Sequence, residues 1–163
     1  MQWTDVFGSD VCTCRPYVAY GVEECVRAAQ AGKTGIVSYN RKEGRALGEV
    51  VKFLVYSARR RDPAGDRHEA YFVGTNDVAG VCDLRFQAQA PDVLHGLGIT
   101  RVHRWLSMSH LKSAALRSAG IAIVEHVALP EFMIPAQTHV EIQAKRAAGY
   151  FTGVGAGSLS RVK

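Results

Sequence analysis

Short apolar runs such as Ile121-Ala122-Ile123-Val124 alternate along this chain with stretches whose apolar residues recur every three or four positions. A continuous apolar run suits a buried strand, and the three-to-four spacing suits one face of a helix, so the alternation predicts an α/β fold. Val18, Val22, Cys25 and Ala29, with Pro16 in the first turn, predict a helix ending at Gly32. Thr34 to Tyr39 reads as a short buried strand, and Leu47 to Ala58 as a second helix. Asp62-Pro63-Ala64-Gly65-Asp66 is a turn-rich excursion. Tyr71 to Val78 is open between strand and loop. Phe86 to Leu97 reads as a helix closing at Gly98, followed by a strand over Ile99 to Leu106. A short helix precedes Gly120, a strand starts at Ile121, and a last helix covers Val140 to Ala148. One domain over residues 1–150 is expected, with a mixed sheet and a flexible tail over 151–163.

The size of 163 residues fits a single domain with a real core. Twenty basic against 15 acidic residues give a net charge of +5, which favours anionic partners without choosing among them. The densest run, Arg59-Arg60-Arg61, reads as a solvated helix end whose cations suit the C-terminal dipole. Aromatic residues form no base-stacking motif, so nucleic acid is disfavoured. No apolar run approaches the ~18 residues of a membrane helix, and the start shows no cationic-then-apolar leader. A cytoplasmic protein without a membrane partner is expected.

With four cysteines and no export signal, a disulfide framework is not expected. Cys12 and Cys14, one residue apart, can chelate a soft metal from a turn or can be two ordinary buried cysteines. Cys25 falls on an apolar helical face and reads as core. The six histidines show no H-x-x-x-H or H-E-x-x-H spacing.

Three polar loops stand where a strand–helix alternation places ligands. In Arg41-Lys42-Glu43-Gly44-Arg45, glycine admits close backbone approach and the cations suit phosphate oxygens at a helix start. Cys82-Asp83-Leu84-Arg85 precedes another helix, where Asp83 could equally serve as a cap. Ser107-Met108-Ser109-His110-Leu111-Lys112 offers hydroxyls and a cation, or simply another capping region.

Taken in order, these segments resemble GTP cyclohydrolase II. Asp5-Val6-Phe7-Gly8-Ser9-Asp10-Val11-Cys12-Thr13-Cys14 is similar to that family's D-x-F-x-S-x-x-C-x-C turn. Arg41-Lys42-Glu43-Gly44-Arg45-Ala46-Leu47-Gly48 is similar to its R-Q-E-G-R-x-I-G. Tyr56 falls at its catalytic tyrosine, and Asp83-x-Arg85 matches its D-x-R pair. Ser107 and Lys112 stand in its L-T-N-N-x-x-K segment, and Gly120 to Val127 match its closing strand. The resemblance spans about residues 5 to 150.

The resemblance implies a cyclohydrolase II-like alternating strand/helix fold and a hydrolase that opens the imidazole ring of GTP or a related purine nucleotide. Formate and pyrophosphate would be released. Asp83, Arg85 and Tyr56 would be catalytic, and Glu43, Gly44, Arg45, Ser107 and Lys112 would bind the substrate. Cys12 and Cys14 would hold zinc that activates water, and magnesium would accompany the nucleotide. A nucleotide, GTP-like, is the expected partner, with a second copy of the chain as a homodimer.

The departures are specific. The family's first zinc cysteine lies eleven residues before its Cys-x-Cys, where this chain has Met1. One of the histidines or Cys82 could replace that thiolate in three dimensions. Tyr17 stands in place of a guanine-contacting glutamine, Thr75 falls in a gapped region, and Ser107 replaces threonine. Two explanations compete: a chain without the family's N-terminal segment, or a divergent branch of this riboflavin-biosynthesis family, some members of which are linked to uracil catabolism. Tyr17 and the extra loop at Asp62 to Asp66 favour divergence. The competing expectation is a non-catalytic nucleotide-binding or regulatory paralogue that has lost zinc.

Overall fold

The computed structural model describes residues 11–40 and 44–153. By the density of its internal packing the chain divides into two compact units. The first holds the described residues up to Arg85 together with Glu131–Ala144, and the second holds Phe86–Pro130 and the described residues from Lys145 onward.

In the first unit, helix α1 runs over Cys14–Gln30. Pro16 lies in its first turn, where an amide donor has no intrahelical acceptor to lose. Gly32, at φ 71°, ends it in the left-handed conformation that a side chain resists. Helix α2 spans Glu49–Arg61 and α3 spans Ala70–Ala79, and the two pack on each other.

The segment 34–39, expected as a buried strand, has no ladder and is substantially exposed: Ile36, Val37 and Tyr39 are 44%, 49% and 43% accessible. Its route is set by α1 instead, because Gly35 lies so close that a Cβ there would stand 2.5 Å from the Cys25 Cα. Tyr71 to Val78, open between strand and loop, is helical. Tyr71 and Thr75, four residues apart, are its buried positions, and Gly80 at φ 69° stops it.

The second unit is a βαβ arrangement. Helix α4 (Ala90–Gly96) leads to β1 (Arg101–Leu106), α5 (His110–Ser118) and β2 (Ala122–Val127). The strands pair in parallel, with Arg101 opposite Ala122 and Leu106 opposite Val127. The class is α/β, as the alternation predicts; the sheet among the described residues is this parallel pair, narrower than the mixed sheet expected. A parallel pair requires a crossover, and α5 supplies it.

Leu94, Leu116 and Ile121 form the unit's core, with Trp105 and Ile123 packed against it. Leu116 is fully buried, so Leu116→Ala is expected to cost about 2–5 kcal/mol, read as a lowered midpoint in urea unfolding.

Helix α6 covers His139–Ala147, the boundary between the units falling after Ala144. Phe151 donates its backbone N–H to the Met108 carbonyl at 3.0 Å. No helix among the described residues is long and apolar enough to cross a membrane.

Candidate active site

In the first unit two loops separated by α2 and α3 are joined through Arg45. This residue and Ala46 adopt φ values of 57° and 64°, a left-handed turn that non-glycine residues rarely take and that commonly marks functional loops. The Arg45 carbonyl accepts from the Leu84 N–H at 3.0 Å, and its Nη1 donates to the Cys82 carbonyl at 3.2 Å. Its guanidinium also lies 4.3 Å from the Phe72 ring centroid. Gly44 and Arg45 are thereby fastened to the segment that carries Asp83 and Arg85.

Asp83 and Arg85 form a fork. Asp83 Oδ1 accepts from the Arg85 backbone N–H and Nε, both at 2.9 Å, while Oδ2 takes Nη2. Their side chains are 26% and 30% exposed, so the pair remains open to a ligand. Burial pushes the Asp83 carboxyl up, but hydrogen bonds from Arg85 and the charges of Arg85 and Arg45 outweigh it and hold the group below the usual carboxylate range.

A buried polar cluster lies around Cys12. Glu141, on α6 and 2% exposed, accepts through Oε1 from the Thr13 hydroxyl at 3.0 Å, with the Cys12 sulfur at 3.8 Å. The Cys14 backbone N–H points to the Cys12 Sγ at 3.4 Å. Burial, then the charges of Cys12 and Glu141, raises the Tyr56 hydroxyl far above the usual phenol range, and the Cys12 side chain hydrogen-bonds to it. Tyr71 is raised by burial and by Glu141 and Cys12, with Arg45 and Arg59 opposing. Tyr71 thus senses both the Cys12 cluster and the arginine-bearing loop.

Arg59, expected as part of a solvated helix end, is a correction: it is 7% exposed, while Arg60 and Arg61 do face solvent. The excursion at 62–66 returns Asp66 to it, with Nε and Nη2 each donating at 2.8 Å. Burial works against the guanidinium's charge, and the hydrogen bond and charge of Asp66 more than offset this. Lys52 is also buried, its Nζ 5.3 Å from the Tyr56 centroid, and Arg59 lies 5.4 Å from the same ring and 4.9 Å from that of Tyr71.

Zinc held by two thiolates needs further donors to complete a tetrahedron. Among the described residues no cluster of three or more histidine, cysteine, aspartate or glutamate side chains is arranged to hold a metal ion. Cys82, a candidate replacement thiolate by sequence, instead points its sulfur at the Phe72 carbonyl, 3.6 Å away. Among the described residues, then, the donor set around Cys12 and Cys14 does not complete a zinc centre.

Ser107 and Lys112 belong to the second unit. Ser107 is buried and its Oγ accepts from the Ser109 N–H at 3.2 Å; Ser109 in turn caps α5, its Oγ accepting from the Lys112 N–H at 3.3 Å. The capping reading of this loop is therefore realised. Glu43 lies outside the described residues. The first unit brings together Tyr56, Cys12, Gly44, Arg45, Asp83 and Arg85. Glu141, Arg59, Asp66 and Lys52 were not anticipated there. Of these, Lys52 and Arg59 had a local signal to offer, since they share one helix face with Tyr56 at spacings of four and three.

The fold is α/β, with the Arg45 turn hydrogen-bonded to Cys82 and Leu84 on either side of Asp83. The GTP cyclohydrolase II family model matches residues 2–128, and this chain is a member of that family. Two fungal relatives are more similar to it than the bacterial enzymes are. It is 52% identical over 149 residues to Uracil-regulated protein 1 of Schizosaccharomyces pombe, a stretch covering 91% of this chain and 34% of that protein. It is 54% identical over 149 residues to "Putative GTP cyclohydrolase URC1" of Lachancea kluyveri, covering 91% of this chain and 33% of the relative. With GTP cyclohydrolase-2 of Hahella chejuensis it shares 32% over 126 residues, 77% of this chain and 55% of that enzyme. The chain thus spans about a third of the length of the two fungal relatives.

Proposed function

We propose that this chain is a cyclohydrolase-type hydrolase that opens the imidazole ring of GTP or a related purine nucleotide. One water adds at C8 and opens the ring to a formamide, a second hydrolyses that formamide to release formate, and a third cleaves between the α and β phosphates to release pyrophosphate. The observation that carries the reading is the Asp83–Arg85 fork with Arg45 fastened beside it, in a member of this family.

The fork supports an electrostatic role for Arg85. An ordinary guanidinium exceeds an ordinary carboxyl by about 8 pKa units, so moving its proton to a carboxylate would cost roughly 11 kcal/mol. Asp83, held below its usual range, is a still poorer base. Arg85 therefore stays charged and stabilises phosphoryl oxygens, with Asp83 fixing its plane. Tyr56, kept as a neutral phenol, can orient the purine or a water as a hydrogen-bond donor. Magnesium accompanying the nucleotide would neutralise charge on the leaving pyrophosphate, beside the cations of Arg85 and Arg45.

The test incubates the purified chain with GTP and magnesium, with and without added zinc, and assays formate and pyrophosphate. Release of both, with loss of the guanine absorbance, is the expected result. The donor set around Cys12 among the described residues favours a second reading, a nucleotide-binding paralogue without ring opening. Saturable GTP binding with no formate under any of these conditions would establish it instead.

A further inference from the structure

Two consecutive carbonyls of the loop between β1 and α5 are held by residues distant in sequence. His126, on β2, stands 2.5 Å from the Ser107 carbonyl through Nε2, which therefore carries the ring proton, since a carbonyl only accepts. The Met108 carbonyl takes the Phe151 N–H at 3.0 Å. The two holders are joined to each other: the Phe151 ring stacks on the His126 imidazole, with centroids 3.8 Å apart and planes 14° from parallel. One residue earlier, Tyr150 meets the His110 ring edge-on at 5.4 Å.

The segment that makes these contacts is anchored at both ends. Gly149, at φ 77°, turns the chain out of α6, and the Tyr150 N–H closes that turn on the Lys145 carbonyl at 2.9 Å. Arg146 Nε donates to the Thr152 hydroxyl at 3.2 Å. Gly153 then passes so near the chain leaving β2 that a Cβ there would stand 2.4 Å from the Ala128 Cβ. Residues 149–153 thus form a strap across the loop.

The strap reaches the Ser107 hydroxyl through one peptide plane. The Met108 carbonyl and the Ser109 N–H belong to the same rigid unit, so holding the carbonyl on Phe151 fixes where that N–H points. It points at Ser107 Oγ, 3.2 Å away. The hydroxyl is set as an acceptor on that side and keeps its own proton to donate to a ligand oxygen.

We propose that Phe151 is a positioning residue: with His126, it holds the Ser107–Lys112 loop in the conformation that binds phosphate oxygens. The inference rests on the reading in which Ser107 and Lys112 bind the nucleotide. Without the stack on His126, Ser109 still caps α5, but the first two peptides of the loop can turn and carry the Ser107 hydroxyl with them.

The test titrates magnesium GTP, magnesium tripolyphosphate and guanosine into the full chain by calorimetry, and follows amide hydrogen exchange over residues 107–112. Phe151→Ala keeps the backbone bond to Met108 but removes the stack. It is expected to weaken binding of GTP and tripolyphosphate by about tenfold or more, to speed exchange in the loop, and to leave guanosine binding where it was. Phe151→Tyr keeps the ring and should restore all of these. Unchanged affinity for both phosphates in Phe151→Ala would overturn the strap while leaving the nucleotide reading intact, and so would a loss that guanosine shares equally. A wild type that binds tripolyphosphate but not GTP would overturn the nucleotide reading, and the comparison on tripolyphosphate then decides the strap. Binding of neither phosphate by the wild type would overturn both. Should Phe151→Ala fold poorly, Thr152→Val, which releases Arg146 from the strap without touching the loop, is held to the same comparison, with the same pattern expected at a smaller fold-change.

Discussion

Arg85→Ala is expected to lower formate and pyrophosphate release by about a hundred- to a thousandfold, the range seen when one preorganised charged donor is taken from a site. The substitution removes the guanidinium and leaves Asp83 without the hydrogen bonds to its side chain that hold it ionised. Arg85→Lys separates charge from geometry. A lysine restores a cation but cannot make the two-point fork, so it should recover only a small part of the lost rate. Steady-state formate release for the three proteins, with circular dichroism to verify folding, decides the matter. Equal rates in wild type and Arg85→Ala would remove the fork from the reaction.

Asp83 adds a pH dependence of definite sign. Its folded carboxyl titrates below its unfolded value, so the stabilisation it contributes is fully present above the unfolded pKa. That contribution is lost as pH falls through the folded pKa, when the carboxylate protonates and the fork to Arg85 opens. Asp83→Asn should therefore flatten the acid limb of the stability profile while leaving the neutral region weakly changed. Urea midpoints measured from neutral to acidic pH in both proteins would show it.

How much of this was visible before the fold was known depends on the range of the interactions involved. The positions of α1 and α2 and the βαβ arrangement of the second unit follow from apolar spacing. The face that α2 buries, however, is Lys52, Val55 and Arg59, while Val50 and Leu54 of the expected face are exposed. The strand expected at 34–39 failed because Ile36 and Val37 look like buried residues locally, whereas the segment is routed by the approach of Gly35 to Cys25. The ambiguous stretch from Tyr71 became a helix because its two buried positions lie a turn apart.

The site divides in the same way. Arg45, Asp83 and Arg85 stand in short motifs, and their grouping could be expected from motif order. Arg59 was read from its neighbours as solvated, yet its environment is set by Asp66 returning from the excursion loop. Glu141 gave no signal, since a single carboxylate on an amphipathic helix resembles a surface residue. Its partners lie 128 and 129 positions earlier in the chain, a separation no local pattern reports.

That separation makes Glu141 the position where a substitution should cost the first unit most. Glu141→Ala removes an acceptor held by the Thr13 hydroxyl, withdraws negative charge from beside Arg59 and leaves a void at a site 2% exposed. Breaking a buried charged network by deleting one partner typically costs about 3–5 kcal/mol, and an orphaned hydroxyl adds about 1–3 kcal/mol to such penalties when it finds no water. Because the Thr13 bond ties the start of α1 to α6, the loss should be cooperative and appear as one lowered unfolding midpoint. Glu141→Gln retains an acceptor oxygen and the volume, so it should lose only part of this, and Thr13→Val should approach the cost of the single hydroxyl bond. A cycle combining Glu141→Gln with Thr13→Val isolates their coupling. Strict additivity in that cycle, with an unchanged midpoint for Glu141→Gln, would mean that the carboxylate does not hold the Cys12 turn in place.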